Sequence, residues 1–206
     1  MQQRKPTGLL NGWPFVGVAA VAILAAVLAA IAITPDVGEA AGGAVRLTAR
    51  TSVALFLAAF TASALFRLWP NAWTRWQRGN RRFLGVAFAV SHGVHLAAIF
   101  WLKHVQPVEF AREVNAITWI GGGLAYVFIA AMAATSFDRT AESIGPRAWK
   151  ILHTVGSYYI WLIFANSYIG RALAMPEYIP AAAIVVLALG LRMAARPRAP
   201  QPVIAN

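Results

Sequence analysis

WPFVGVAAVAILAAVLAAIAIT, residues 13–34, carries no charged side chain, and Pro35-Asp36 brings it to an end. A bilayer core of about 30 Å is crossed by about 20 apolar residues wound as a helix. This run is long enough to do so, and it sets the scale for the rest of the chain. Five more stretches answer to it, at 51–69, 83–102, 115–137, 151–170 and 178–195. Arg67 interrupts the second, but an arginine near a helix end can return its guanidinium to the interface. Arg192 shortens the uncharged part of the sixth. The expectation is an all-α integral membrane protein, a bundle of about six transmembrane helices over residues 13–195. A short segment (1–12) precedes it, and a Pro-rich tail (196–206) expected to be disordered follows.

Composition points to the same solvent. The 206 residues are 59% hydrophobic and 12% charged, with a mean hydropathy of +0.60. A soluble domain has about twice that share of charge, so too few polar side chains are present to cover a surface in water. The net charge of +11 does not indicate nucleic acid. Its basic residues sit in gaps between apolar runs rather than along one soluble face. The stretch Trp73-Thr-Arg-Trp-Gln-Arg78 interleaves aromatic and basic residues, which suits anchoring at a membrane interface. With no cysteine, disulfides, thiolate metal sites and a cysteine nucleophile are excluded.

Charge asymmetry supplies an orientation. With the N-terminus inside, thirteen of the eighteen Lys and Arg lie in cytoplasmic segments. They are Arg4, Lys5, Arg67, Arg75, Arg78, Arg81, Arg82, Arg139, Arg147, Lys150, Arg192, Arg196 and Arg198. Arg46, Arg50, Lys103, Arg112 and Arg171 fall outside. Both termini are then cytoplasmic, in a multi-pass protein of the bacterial inner (plasma) membrane. Arg4-Lys5 before an apolar run resembles a signal peptide, but the run exceeds a 7–15-residue h-region and further spans follow it. It is expected to be a retained helix. The loops are too short to hold a nucleotide-binding domain.

Polar side chains inside a span are costly and are functional candidates by default. His92, His95 and His153 are the ones that stand out; His104 lies just beyond the third span. His92 and His95, three apart, share one helical face with Gly85, Phe88, Ala89 and Ile99. Inward imidazoles among small and aromatic residues would leave room for a flat macrocycle. Gly156 and Ser157 lie about one turn above His153. The same histidines could instead hydrogen-bond between helices, with Gly and Ala serving close packing. No intramembrane carboxylate is present to extend a proton relay or to support zinc catalysis.

Two segments carry a family resemblance. Arg81-Arg82-Phe-Leu-Gly85 followed by Ser91-His92-Gly-Val-His95-Leu96, and Thr135-Ser136 followed by Gly145-Pro-Arg147-Ala-Trp149-Lys150-Ile-Leu-His153, resemble the ferric reductase-like transmembrane domain. Within it they are most similar to MsrQ-type haem-binding membrane subunits of bacterial methionine sulfoxide reductase systems. The resemblance covers roughly residues 50–170. It implies haem b held between helices by axial histidines, and electrons moved across the membrane. It places His95 and His153 as ligands of the haem iron. Arg81, Arg82, Arg147 and Lys150 lie at the cytoplasmic mouths of the two histidine-bearing helices. There they could pair with haem propionates or attract an anionic donor, although the positive-inside bias alone accounts for them. Thirteen residues after His153 the family pattern has another histidine; this chain has Asn166, and an amide is a poor iron ligand.

Depth bears on the pairing. At 1.5 Å per residue His95 lies about 20 Å and His92 about 15 Å above Arg82, while His153 lies roughly 5–9 Å above its own helix edge. His153 is then nearer in height to His92, and His95 is level with Asn166. The expectation is one haem using His153 with His92 or His95, or a chain that has lost haem. Electrons would come from a separate reductase or from quinol, and leave to a periplasmic redox partner or acceptor. The rival is a haem-free scaffold or assembly partner. A transporter is disfavoured by the lack of intramembrane acids and of Pro-broken helix pairs.

Overall fold

The computed structural model describes residues 8–114 and 116–195; Arg4, Lys5 and the 196–206 tail lie outside the described residues. Among the described residues the chain is helical without strands. The helices are α1 (Gly12–Ala32), α2 (Val37–Leu68), α3 (Ala72–Gly79), α4 (Arg81–Val105), α5 (Pro107–Glu113), α6 (Ala116–Ala134), α7 (Asp138–Ala174) and α8 (Ile179–Ala194). Four of the helical units are long and apolar enough to cross a membrane: α1, α2, α4 and the Pro176–Ala194 unit that contains α8. The pair α6 and α7 also passes when taken together, bent by 114° at the break between them. The protein is thus an all-α, multi-pass membrane protein with four or five such units among the described residues.

The second span departs most from the sequence reading. It was expected to begin at Thr51, whereas α2 begins at Val37. The Asp36 carboxylate accepts from the Glu39 N–H at 2.7 Å, satisfying a donor that a helix start leaves orphaned. An alanine-rich segment follows, which favours helix strongly. Ala40, Ala41, Ala44 and Thr48 are buried, while Arg46 and Arg50 are exposed. The 32 residues extend about 48 Å, so one end projects well past a core of about 30 Å.

Two connections expected to be plain loops are short helices. In α3 the Asn71 side chain accepts from Thr74 N and the Thr74 hydroxyl accepts from Asn71 N, a reciprocal cap. Gln77 then donates to the Ala58 carbonyl at 2.8 Å and fastens α3 to α2. Trp73 stays exposed and stacks on Trp76 at 4.9 Å. α5 starts at Pro107, where the missing N–H is not needed.

The long helices run to and fro between two ends. At one end Asn80, buried, accepts from Gly12 N at 2.9 Å and donates to Asn11 at 3.1 Å. Arg82 meets Asp138 at 2.6 Å, Trp13 stacks on Phe137 at 4.9 Å, and Arg67 donates to the Ala195 carbonyl at 2.9 Å. This brings together the starts of α1, α4 and α7 and the ends of α2, α6 and α8. At the other end Gly38 sits against Gln106, with space for no Cβ, and Tyr168 faces Tyr178 at 6.3 Å. Along α6 and α7, Gly121 meets Tyr159, Met132 meets Gly156, and Thr135 meets His153. One number rises as the other falls, so the two helices are antiparallel.

Packing between α2 and α4 relies on small residues. Ala44, Thr48, Ser52, Ala62, Ala87 and Ser91 are all buried. In lipid, where hydrophobic burial does not drive helices together, such residues let backbones approach and make interhelical hydrogen bonds. Ser91 bonds Ser52 at 2.9 Å and Thr51 at 3.0 Å. The aromatic core of Phe56, Phe60, Phe88 and Phe164 lies beyond this seam, between α2, α4 and α7.

Candidate functional site

A cavity of about 390 Å3 lies between α2, α4, α6 and α7 at the arginine-rich end. Its walls are apolar (Phe56, Phe60, Phe88, Ile129, Met132) or small (Ala59, Gly85, Ala89, Ala133), and Arg81, Arg82, Arg192 and His153 also line it. Gly85 faces open space, since a Cβ there would meet nothing within 4 Å. The start of α7 covers one side through Asp138 and Ala141. That cover depends on Gly145, whose φ of 75° and ψ of 162° belong to glycine alone. The chain breaks direction there, and Pro146 opens the long part of α7.

His153 is held on two sides. Its Nε2 lies 3.0 Å from the Thr135 hydroxyl, and Trp149 stacks on the imidazole at 4.1 Å. The Trp149 indole N–H donates to the Thr135 carbonyl at 3.0 Å. The Thr135 hydroxyl also lies 2.8 Å from the Ala131 carbonyl, and its single proton can go to either partner.

His92 and His95 lie together at a different level. Their rings are 5.1 Å apart. His92 stacks on Tyr126 at 4.9 Å and packs against Phe88 and Phe164; its Nδ1 is buried without a partner. His95 Nδ1 lies 2.9 Å from the Thr48 hydroxyl, with the Val45 carbonyl alongside. The Thr48 hydroxyl also lies 2.6 Å from the Ala44 carbonyl; when its proton goes there, His95 carries its own on Nδ1 and presents a bare Nε2. Anchoring Nδ1–H on an oxygen is the usual way to orient an imidazole whose Nε2 serves as a ligand.

α6 measures the separation between the two levels. Tyr126 lies against His92 and Thr135 against His153, and these two positions are about 13 Å apart along the axis. Phe88, which lines the cavity, packs on His92 from the cavity side. The expected pairing of His153 with His92 or His95 on one iron is not brought together in this arrangement. Asn166 is exposed, while its neighbours Phe164, Ala165 and Tyr168 are buried.

The other basic candidates separate as well. Arg81 and Arg82 border the cavity, whereas Arg147 and Lys150 are exposed and do not line it. Gly156 serves packing: a Cβ would come within 2.9 Å of Met132 Sδ and 3.1 Å of Phe128. Ser157 lines the cavity. Sequence reasoning missed Thr48 and gave no site role to Thr135 or Arg192. An arginine within an apolar run was a usable signal for Arg192; a threonine among alanines was none for Thr48.

Apolar walls with arginines at the rim suit a largely apolar group with an anionic edge. The Arg82 guanidinium points the same way, because its Nε is buried without a partner although Nη1 pairs with Asp138. Among the described residues no group of three or more His, Asp or Glu could hold a bare metal ion. Fold and site together define a multi-pass helical membrane protein with an arginine-rimmed, histidine-bearing cavity at one end. Compared with protein-family models, curated proteins and solved structures, the chain matches none.

Proposed function

We propose that the chain is a haem b subunit of the bacterial inner membrane, passing electrons from a cytoplasmic reductase or quinol to a periplasmic partner or acceptor. The observation that carries this reading is the arginine-rimmed cavity with an imidazole in its wall. His153 would hold the iron and Arg82, through its free Nε–H, a propionate. Haem, when bound, supplies reversible one-electron chemistry. Phe56, Phe60 and Phe88 keep the cavity dry, and Trp149 and Thr135 hold the ring of His153. His95, with His92 beside it, is the alternative ligand at the other level. The ferric reductase-like resemblance supports the class of cofactor. The single exposed Asn166 at the family's remaining ligand position supports one haem rather than two.

A haem-free scaffold is the second reading, favoured by the engagement of His153 Nε2 with Thr135. An absorption spectrum separates the two. Protein purified from cells with ample haem should show a Soret band that His153→Ala removes and His95→Ala leaves. Colourless wild-type protein would establish the scaffold reading. A band lost only in His95→Ala would move the haem to the other level.

We also propose six crossings with both termini cytoplasmic. The to-and-fro course of α1, α2, α4, α6, α7 and α8 supports this, as does the excess of basic residues at one end. Because the chain has no cysteine, single substitutions report cleanly. Cysteine at Arg75 should resist a membrane-impermeant maleimide in intact spheroplasts, and cysteine at Glu109 should react. The reverse pattern would invert the topology.

A further inference from the structure

A second hollow, of about 230 Å3, lies beside the cavity, and three of its lining residues are arginines from three helices. Arg67 comes from the end of α2, Arg81 from the start of α4 and Arg192 from the end of α8; Phe60, Ser63 and Tyr158 complete most of the wall. No carboxylate is among the described residues that line it. Asp138, which borders the larger cavity, is already paired with Arg82.

Two of the three guanidinium groups are held in place from behind. Arg67 donates one N–H to the Ala195 carbonyl at 2.9 Å, where the end of α8 carries partial negative charge. Arg192 donates to the Phe60 carbonyl at 3.2 Å and lies over the rings of Phe60 and Tyr158 at 4.2 and 4.8 Å. Each of these bonds uses one donor of five. Arg81 makes no hydrogen bond or ion pair among the described residues. Three like charges around one hollow, at the end of an apolar bundle, repel one another unless an anion sits between them.

We infer that this hollow binds a phosphate group, carried by an anionic phospholipid headgroup or as free phosphate. Guanidinium forks match the oxygens of a phosphate and bind it through charge-assisted hydrogen bonds. The hollow opens where α2 and α8 end, the level at which headgroups meet a transmembrane bundle. Basic pockets between transmembrane helices are a known setting for lipid phosphates. The hollow shares Phe60, Arg81 and Arg192 with the larger cavity, whereas Arg67 and Ser63 line the hollow alone. Loss of phosphatidylglycerol retention in Arg67→Gln with an unchanged Soret band therefore separates this inference from the haem reading.

Delipidated protein in neutral detergent, titrated with phosphatidylglycerol or phosphatidylcholine and followed by native mass spectrometry, tests it. Phosphatidylglycerol should be retained at far lower concentration than phosphatidylcholine. Arg81→Gln should weaken that retention about fivefold, and Arg75→Gln, on α3 outside the hollow, should leave it unchanged. Arg81 has no partner to lose, so its variant should melt at the wild-type temperature; if it does not, Arg67→Gln serves in its place with the same expected loss. Millimolar inorganic phosphate as a competing probe distinguishes the sources. Displacement of the lipid points to free phosphate, and persistence points to the headgroup. Equal retention of both lipids with no phosphate binding, or equal behaviour of Arg81→Gln and Arg75→Gln, would overturn the inference.

Discussion

Ser91→Leu is expected to destabilise the protein by about 2–4 kcal/mol and to part α2 from α4. Ser91 is fully buried, and its hydroxyl bonds both Ser52 and Thr51. Two effects compete for the larger share. A side-chain hydrogen bond between membrane helices contributes on average about 0.6 kcal/mol, because a separated helix finds other partners. Forcing a longer side chain into a filled seam costs typically about 1–3 kcal/mol. Overpacking therefore dominates, and Ser91→Ala, which loses only the hydrogen bonds, should cost about 1 kcal/mol. Thermal unfolding in detergent measures both. A Leu variant as stable as wild type would mean that the seam is not close-packed.

The architecture was legible in the sequence wherever the hydrocarbon core sets the pattern. The charge-free run at 13–34 became α1 with its ends shifted by a residue or two, because lipid tolerates no other conformation for such a stretch. The extension of α2 over 37–50 was not legible. Arg46 and Arg50 lower the hydropathy of that segment, and hydropathy does not register that alanine-rich backbone stays helical outside lipid. The buried face of Ala40, Ala41, Ala44 and Thr48 was visible only as small residues at helical spacing. α3 and α5 were missed for a similar reason. Their length suits an interface, and caps rather than apolar runs define them.

The histidine face was legible too, and the cavity was not. Gly85, Phe88, Ala89, His92 and His95 share one side of α4 as helical periodicity requires, but only the first three border the cavity. What divides them is the ring of Phe88 against His92, a contact that no spacing rule encodes. The depth argument set His153 nearer in height to His92 than to His95; the ruler provided by Tyr126 and Thr135 puts about 13 Å along α6 between the levels of His153 and His92. The threonine contacts came only from the structure. Each hydroxyl lies within hydrogen-bond distance of a carbonyl one turn back and of an imidazole, at Nδ1 of His95 and at Nε2 of His153.

Gly156→Leu should be the most damaging change beside the cavity, because the contact it breaks also positions His153. A Cβ on Gly156 would already stand 2.9 Å from Met132 Sδ, 3.1 Å from Phe128 Cδ1 and 3.4 Å from Met132 Cε. The methionine can swing aside, since its thioether chain is flexible; the Phe128 ring, packed on Tyr159 at 5.2 Å, cannot move freely. Gly156→Ala thus asks for a shift of a few tenths of an ångström and should cost about 1 kcal/mol. Leucine adds branched bulk where α6 must lie and should cost about 3 kcal/mol or more. α6 would then move off α7, and the 3.0 Å bond between Thr135 and His153 would open with it. The fluorescence of Trp149, which stacks on His153 and donates to the Thr135 carbonyl, reports that opening in haem-free protein when taken as the difference from a Trp149→Phe control, because the chain has eight tryptophans. In Gly156→Leu its emission should shift to the red at temperatures where the protein is still helical by circular dichroism. Emission unchanged until the helices melt would show that α6 and α7 hold the His153 pocket without the close approach at Gly156.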